Sequence, residues 1–467
     1  MLQDELVYQI ETRFGHVPTA EQRRALQVFA AFMTDCEEQS VMILRGSAGT
    51  GKTTLASAIV RAMLAMKQKL VLMAPTGRAA KVFSNYSGTP AFTIHRRIYR
   101  QKSATDIGIF NLGFNAAQDT LFIVDEASMI ANGETPLLDD LIRFVYNDKN
   151  CRLMLIGDRA QLPPVGEEES PALMADVLRG YGMNLYECDL NEVLRQAEDS
   201  GILWNATRIR GEGGEMRGER ILPKIRFSGF EDIQVMPGDE LIESLSSSFS
   251  RVGMDETMVV TRSNKRANIY NQGIRNMVLE REEELCRGDR IMIVKNNYYW
   301  VPKSPDSGNL DFIANGDIAV VQRVRHTHDL YGFRFAEVTM TFPDYDNYEL
   351  MAITMLDTLT TEAPALTHEQ QEQLYNKVLE DYQDIPYKSE RLKKLKDDKY
   401  YNALQIKFAY AATCHKAQGG QWAHIYIDQG YMTDDMLTSD YFHWLYTALT
   451  RATEKVFLVN WPKAQVE

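Results

Sequence analysis

Cysteine is scarce and unpatterned in this chain of 467 residues. The five present, Cys36, Cys151, Cys188, Cys286 and Cys414, are odd in number and form no C-x-x-C pair. That argues against a disulfide framework or a zinc site, and for reduced, packed thiols in a cytoplasm. Long hydrophobic runs are missing: no stretch approaches the roughly 18–20 apolar residues of a membrane span. Met1-Leu2-Gln3-Asp4-Glu5 lacks the basic start and apolar core of a signal peptide. There is no internal repeat and no low-complexity tract. Nor is there a basic excess, since the formal net charge is −13. As a sum this weighs against a nucleic-acid partner, but a binder needs a basic groove rather than a basic total. At about 150 residues per domain, the length suggests about three domains.

What is present is an alternation of strands and helices. Short apolar runs recur at Val41–Leu44, Leu70–Ala74, Leu121–Val124, Leu153–Ile156 and Leu185–Tyr186, each ending in a polar or glycine-rich turn. Between them, Lys52–Met66 carries Leu55, Ile59, Val60, Met63 and Leu64 at near-helical spacing. The pattern predicts an α/β fold with a parallel sheet, whose functional residues stand at the carboxyl ends of strands. A polar stretch, Arg210–Arg220, precedes a second α/β region that begins with the strand Met258–Thr261. The chain turns β-rich from about Gly288 to Met355, with strands expected at Arg290–Lys295, Ile318–Val324, Ala336–Phe342 and Leu350–Met355. Thr367 to Lys399 is dense in charge of both signs and reads as solvated helix or loop. Strand–helix alternation returns from Leu404.

Gly46-Ser47-Ala48-Gly49-Thr50-Gly51-Lys52-Thr53-Thr54 fits G-x-x-x-x-G-K-[ST], after an apolar strand and at the start of a helix. Glycines let backbone N–H groups wrap phosphates, and the helix N-terminus adds positive dipole. Lys52 is expected at the β- and γ-phosphates and Thr53 on Mg²⁺. Phe122-Ile123-Val124-Asp125-Glu126 supplies the partner element. Asp125 would hold Mg²⁺, directly or through water, and Glu126 would polarise the attacking water. Together these indicate an Mg²⁺-dependent NTPase.

Gly157-Asp158-Arg159-Ala160-Gln161-Leu162-Pro163-Pro164-Val165 narrows the class. Gln161 is placed to contact a γ-phosphate or its attacking water, and the segment resembles the G-D-x-x-Q-L-P-P-V signature of the superfamily 1 helicases. Other motifs then follow in order. Thr19-Ala20-Glu21-Gln22 resembles the adenine-reading motif, with Gln22 as the reader. Ala74-Pro75-Thr76-Gly77-Arg78-Ala79-Ala80 resembles motif Ia, and Thr93-Ile94-His95-Arg96 resembles motif Ib. Leu190–Gln196 resembles motif IV, whose Arg195 would be an arginine finger. Thr413-Cys414-His415-Lys416-Ala417-Gln418-Gly419 resembles motif V. Tyr446-Thr447-Ala448-Leu449-Thr450-Arg451-Ala452 resembles motif VI, with Arg451 as the second finger.

The detailed match is to the RecD- and Dda-like subgroup, superfamily 1B, in a compact form. The resemblance implies two RecA-like P-loop motor domains, with a small β-hairpin insert in the first and an SH3-like β-barrel insert in the second. The expected boundaries are 1–188 for the first domain, with the hairpin at about 98–118. The second takes 189–286 and 404–467, and the insert with its charged segment takes 287–403. Segment 356–400 matches nothing in the subgroup. The implied activity is an ATP-dependent 5′→3′ single-stranded DNA translocase and helicase. The alternative is a DNA-stimulated ATPase that remodels protein–DNA complexes, or a motor subunit of a larger recombination or repair complex.

The implied cofactors are ATP and Mg²⁺, with Gln22, residues 46–54, Asp125 and Gly419 around the nucleotide. Catalysis would fall to Lys52, Glu126, Gln161, Arg195 and Arg451. Pro75, Thr76, Arg78, Thr93, His95, Arg96, Thr413, His415 and Lys416 would meet DNA. The implied partners are single-stranded DNA and duplex with a 5′ single-stranded tail, with replication or repair proteins besides. A monomer and no membrane are expected.

A local charge count relieves the tension with the acidic total. Gly77 to Thr105 contains no Asp or Glu but carries Arg78, Lys81, Arg96, Arg97, Arg100 and Lys102, with Phe83, Tyr86, Phe92 and Tyr99 interleaved. Cations bind phosphates and aromatic faces stack bases, although half or more of these rings belong to the core. Two apolar runs around Asn111 suggest the hairpin. There Phe110 or Phe114 either lends a strand-splitting wedge or packs onto the domain. Tyr298-Tyr299-Trp300 either leans on DNA or fills the small barrel, and packing is the favoured reading.

Overall fold

The structure, a computed structural model, describes residues 2–467 except 38, 101–110, 134–135, 148–149, 194–198, 215–221, 302–311 and 434–435. Arg195, Phe110 and the expected hairpin tip therefore lie outside the described residues.

The apolar runs of the first half become a six-stranded sheet. Its order is Ala91–Thr93, Lys69–Ala74, Thr120–Val124, Arg152–Gly157, Ser40–Gly46, Asn184–Leu190. Every pair is parallel. Ser40–Gly46 is buried along its whole length because helices cover both faces. Lys52–Ala65 and Ala20–Thr34 pack one face; Leu137–Val145 packs the other. Tyr99–Arg100 pairs antiparallel with Asn111–Leu112, so a two-stranded insert leaves this domain where the hairpin was expected.

A second parallel sheet has five strands in the order Ala411–Thr413, Thr257–Thr261, Trp422–Asp428, Ala452–Val459, Ile233–Met236. The edge strand Ile233–Met236 was not foreseen. It is four residues long and buried only at its two ends, too short to register as a run.

Between Thr257–Thr261 and Ala411–Thr413 the chain builds a closed barrel. Its strands are Arg290–Ile293, Ile318–Leu330, Phe333–Phe342, Tyr348–Met355 and Leu404–Phe408. The last strand corrects the expected boundary at 404. Leu404–Phe408 pairs with Arg290–Ile293 and Tyr348–Met355, and the chain rejoins the second sheet only at Ala411. Its apolar spacing matches a motor-domain strand equally well, so spacing alone does not place it. The charged segment forms two helices, His368–Glu380 and Lys388–Lys396. A sparse set of apolar residues, Leu374, Val378 and Leu395, seats them on Phe333 and Phe335 of the barrel. Tyr298 stacks on Phe312 with ring centroids 4.7 Å apart, and Trp300 Nε1 donates to Asn402 O at 2.8 Å. Both rings serve the barrel, as expected.

One ionic cluster ties the barrel to the second domain. Asp289 is fully buried and accepts from Arg275 Nη2 at 3.0 Å, Arg281 Nη1 at 2.7 Å, Tyr410 Oη at 3.0 Å and Cys286 N at 2.7 Å. A buried carboxylate is tolerated only with such saturation, and removing its charge strands two arginines. Asp289→Asn is expected to lower unfolding free energy by about 3–5 kcal/mol, read from the denaturation midpoint.

Candidate active site

The carboxyl ends of the two sheets face each other across a cleft of about 320 Å³. The first domain brings Ser47, Ala48, Gly49, Gly51, Lys52, Thr53, Asp125, Glu126, Asp158 and Gln161 to it; the second brings Gly419 and Arg451. Gln22, Gly46, Thr50 and Thr54 stand off its wall.

The loop after Ser40–Gly46 can wrap an anion because Gly49 and Gly51 both adopt φ of +79°, a left-handed conformation that favours glycine. A Cβ on Gly46 would meet Thr50 Oγ1 at 2.8 Å, so that position is held to glycine by contact. Lys52 Nζ donates to Gly46 O at 2.5 Å and Ser47 O at 2.9 Å, folding back over the loop. Gln22 is buried and both ends of its amide are engaged. It accepts from Thr19 N at 3.0 Å and donates to Thr50 O at 3.1 Å, so in this arrangement it props the loop.

Asp125 and Glu126 leave Thr120–Val124 together. Glu126 takes a left-handed φ of +54°, costly for a residue with a side chain and characteristic of functional turns. Burial, with Glu126 beside it, pushes the Asp125 carboxyl up to about 6. Asp125 accepts the Tyr86 hydroxyl and, at 2.9 Å, the Glu126 N–H. Arg451 approaches Glu126 at 3.6 Å, while its guanidinium donates to Thr447 O at 3.2 Å and Gly420 O at 3.3 Å. With its amide turned to the orientation that satisfies both neighbours, nitrogen toward Glu126 at 3.1 Å and oxygen toward Arg451 at 3.3 Å, Gln161 bridges the two domains.

Sequence reasoning missed the contacts of Tyr86, Arg210 and Tyr446. Tyr86 stood only among the aromatics of the acid-free stretch, yet its hydroxyl meets Asp125. Arg210 donates to Ser47 Oγ, and Tyr446 Oη accepts from Ala48 N at 2.7 Å. Both reach the phosphate loop from residues far along the chain, and no local spacing signals that.

The residues expected to meet DNA lie on both domains, Thr76 and Arg78 beside Gly419 and Gln421 of the cleft wall. Thr76 caps the helix Gly77–Ser87 by accepting from Ala79 N, and Thr93 caps Ile94–Ile98 by accepting from Arg96 N. Pro75 is partly exposed beside Thr76. Arg78 Nη2 donates to Gln421 O at 2.9 Å and its guanidinium lies 4.5 Å from the Trp422 ring, bridging to the second domain. Burial holds the His95 imidazole down at about 4, so it is neutral at pH 7. Arg96 lies over Phe92 at 5.1 Å. Thr413 and Lys416 are partly exposed and His415 is exposed at the second domain's edge. Burial pulls the Lys416 ammonium down to about 8, and its Nζ has no hydrogen-bond partner.

An AAA domain model matches residues 18–217, and a UvrD-like helicase C-terminal domain model matches residues 408–459. The ATP-dependent DNA helicase Dda of Enterobacteria phage T4 is 26% identical over 270 residues, 55% of this chain and 57% of that protein. The ATP-dependent RecD2 DNA helicase of Deinococcus radiodurans is 30% identical over 149 residues, 32% of this chain and 20% of that protein. Over these segments the chain is similar to ATP-dependent DNA helicases of the Dda and RecD2 type. A solved Pif1 helicase structure shares the fold, with a TM-score of 0.50 at 15% identity over 96% of this chain and 94% of the other. The match to Dda thus spans little over half of that relative's length.

Gly419 marks where the domains touch. It adopts φ of +76°, and a Cβ there would meet Ala79 Cβ at 2.9 Å and Thr76 Oγ1 at 3.2 Å. Gly419→Ala is expected to cost about 1–3 kcal/mol from backbone strain, measured by denaturant unfolding.

Proposed function

We propose that this chain is an ATP-driven motor that moves 5′→3′ along single-stranded DNA and unwinds the duplex ahead of it. The observation that carries the reading is the meeting of Arg451, from the second domain, with Glu126 and Gln161 of the first. A group that stabilises charge on a transferring phosphoryl from across a cleft acts only when the cleft is closed, and this couples hydrolysis to domain movement.

In this reading the backbone N–H groups of residues 47–52 cradle the phosphates of ATP and Lys52 neutralises them. Glu126 takes a proton from the attacking water, which Gln161 orients. Arg451 is the arginine finger, and Arg195 is a second finger on the strength of motif IV. Gln22 reads adenine after releasing Thr50 O. Thr53 and Asp125 would hold Mg²⁺. Their oxygens share one cavity, and the Asp125 carboxyl, raised by burial and by Glu126 beside it, lacks a full complement of positive charge, which fits a hard cation that takes oxygen ligands. When bound, that ion screens the phosphate charge and orients the γ-phosphoryl.

The single strand would cross both domains over Pro75, Thr76, Arg78, Thr93, His95 and Arg96 on one side and Thr413, His415 and Lys416 on the other. The unpaired Lys416 ammonium supports a phosphate contact there, and Lys407 close by adds positive potential. Phe114 follows the paired insert strand and is 76% exposed, as a duplex-splitting wedge requires.

The decisive experiment is strand displacement on 5′-tailed, 3′-tailed and blunt duplexes with ATP. Unwinding is expected only from the 5′ tail and none with Lys52→Ala; unwinding only from a 3′ tail refutes the polarity. Arg451→Ala is expected to lower kcat by about 10³-fold or more. Lys416→Gln is expected to weaken single-strand binding and to reduce the salt slope by about 1. The ammonium is charged below its pKa of about 8, so wild-type binding should weaken as pH rises through that value while the variant's should not.

A further inference from the structure

Tyr446 joins three parts of the cleft at one oxygen. It lies on the helix Ser439–Leu449 of the second domain and its ring is buried. Its hydroxyl donates to Asp158 Oδ2 at 2.5 Å and accepts the Ala48 N–H at 2.7 Å. The same Asp158 oxygen stands 4.0 Å from Lys52 Nζ. Asp158 Oδ1 is already engaged by Ala160 N at 2.9 Å. Tyr446 and Lys52 therefore address the same carboxylate oxygen, the phenol at hydrogen-bond distance and the ammonium beyond it.

The neighbouring turn of the helix fixes the geometry. His443 Nδ1 lies 2.9 Å from Ala160 O, and Leu162 N donates to Thr447 Oγ1 at 2.8 Å. Positions 443, 446 and 447 share one helix face, so that face is stitched along loop 158–162 of the other domain. Parting the domains removes all three contacts together. Asp158, 3% exposed here, would then be left with Lys52 as its nearest cation, and a carboxylate that loses its hydrogen-bond donor takes the partner in reach.

We infer that Tyr446 is a positioning residue that, on cleft closure, takes Asp158 away from Lys52 and so frees the lysine for the phosphates. In the open cleft Asp158 holds Lys52 back and basal hydrolysis is low. In the closed cleft the phenol occupies Asp158 Oδ2 and pins the Ala48 amide, so Lys52 is left on the Gly46 and Ser47 carbonyls of its own loop, which the phosphates then replace. This rests on the motor reading above.

The test is steady-state ATP hydrolysis with and without single-stranded DNA. Tyr446→Phe removes only the hydroxyl and is expected to lower DNA-stimulated kcat by about tenfold, about 1.4 kcal/mol. Adding Asp158→Asn removes the rival charge while keeping an acceptor for Ala160 N. The double variant is expected to recover kcat relative to Tyr446→Phe, a rescue that a purely structural loss does not allow. Asp158→Asn alone is expected to raise the DNA-free rate by about threefold or more, and it carries the test should Tyr446→Phe fail to fold. An unchanged kcat in folded Tyr446→Phe, a double variant no faster than the single, or a DNA-free rate in Asp158→Asn at or below wild type overturns the inference. A wild-type chain that hydrolyses no ATP overturns the motor reading instead.

Discussion

Adjacent carboxylates at one strand end repel each other, and that repulsion organises this molecule. Asp125 and Glu126 leave the same strand end, and burial together with mutual repulsion holds the Asp125 carboxyl up at about 6. The first domain alone offers Tyr86, the Glu126 N–H and, farther off, Lys52. The remaining relief comes from the other domain, through Arg451 and the Gln161 bridge. An arginine that is itself 3% exposed cannot be left without carbonyl or carboxylate partners. Closure of the cleft therefore satisfies buried charge on both sides at once. In the proposed reading a phosphate with its cation would change that balance, and chemistry at the loop would thereby move whole domains.

The fold supplies rigid elements at the places where this balance is struck. Both sheets are parallel and aim their carboxyl ends at the cleft. Glycines with left-handed backbone stand at the loop and at Gly419, where the domains come within contact of each other. Asp289 anchors the barrel beside the second domain, and the barrel in turn reaches the first. Lys81 Nζ donates to Pro343 O at 3.0 Å, and Gly77 packs so tightly that a Cβ would meet Asp317 Oδ1 at 2.6 Å. The helix bearing motif Ia is thus braced by the insert as well as by its own sheet.

The parts legible in the sequence are those whose information is local. Ser40–Gly46 and Thr120–Val124 are continuous apolar runs ending in motifs with fixed spacing, so both strands and their terminal side chains could be read directly. Ile233–Met236 and Leu404–Phe408 fail that test. The first is too short, and the second has the same apolar spacing whether it joins a sheet or closes a barrel. Tyr446 illustrates a third limit. Its motif was visible, but its partners Ala48 and Asp158 lie in the other domain, and hydrogen bonds across a cleft leave no periodicity in the chain.

The charge count of the acid-free stretch also needs its three-dimensional context. Six cations between Gly77 and Thr105 suggest a continuous basic track. Arg78 instead lies on Trp422 and donates to Gln421 O, and Lys81 faces Asp344 at 3.8 Å. Those two act as struts between domains. The positive potential open to a phosphate there is smaller than the count implies, and in the proposed reading part of the grip comes from Lys416, whose buried Nζ lacks a hydrogen-bond partner. A strand held partly from each side is gripped as a function of how far the cleft is closed. In such an arrangement a modest, divided charge serves movement better than a strong continuous one, because each domain can release while the other holds.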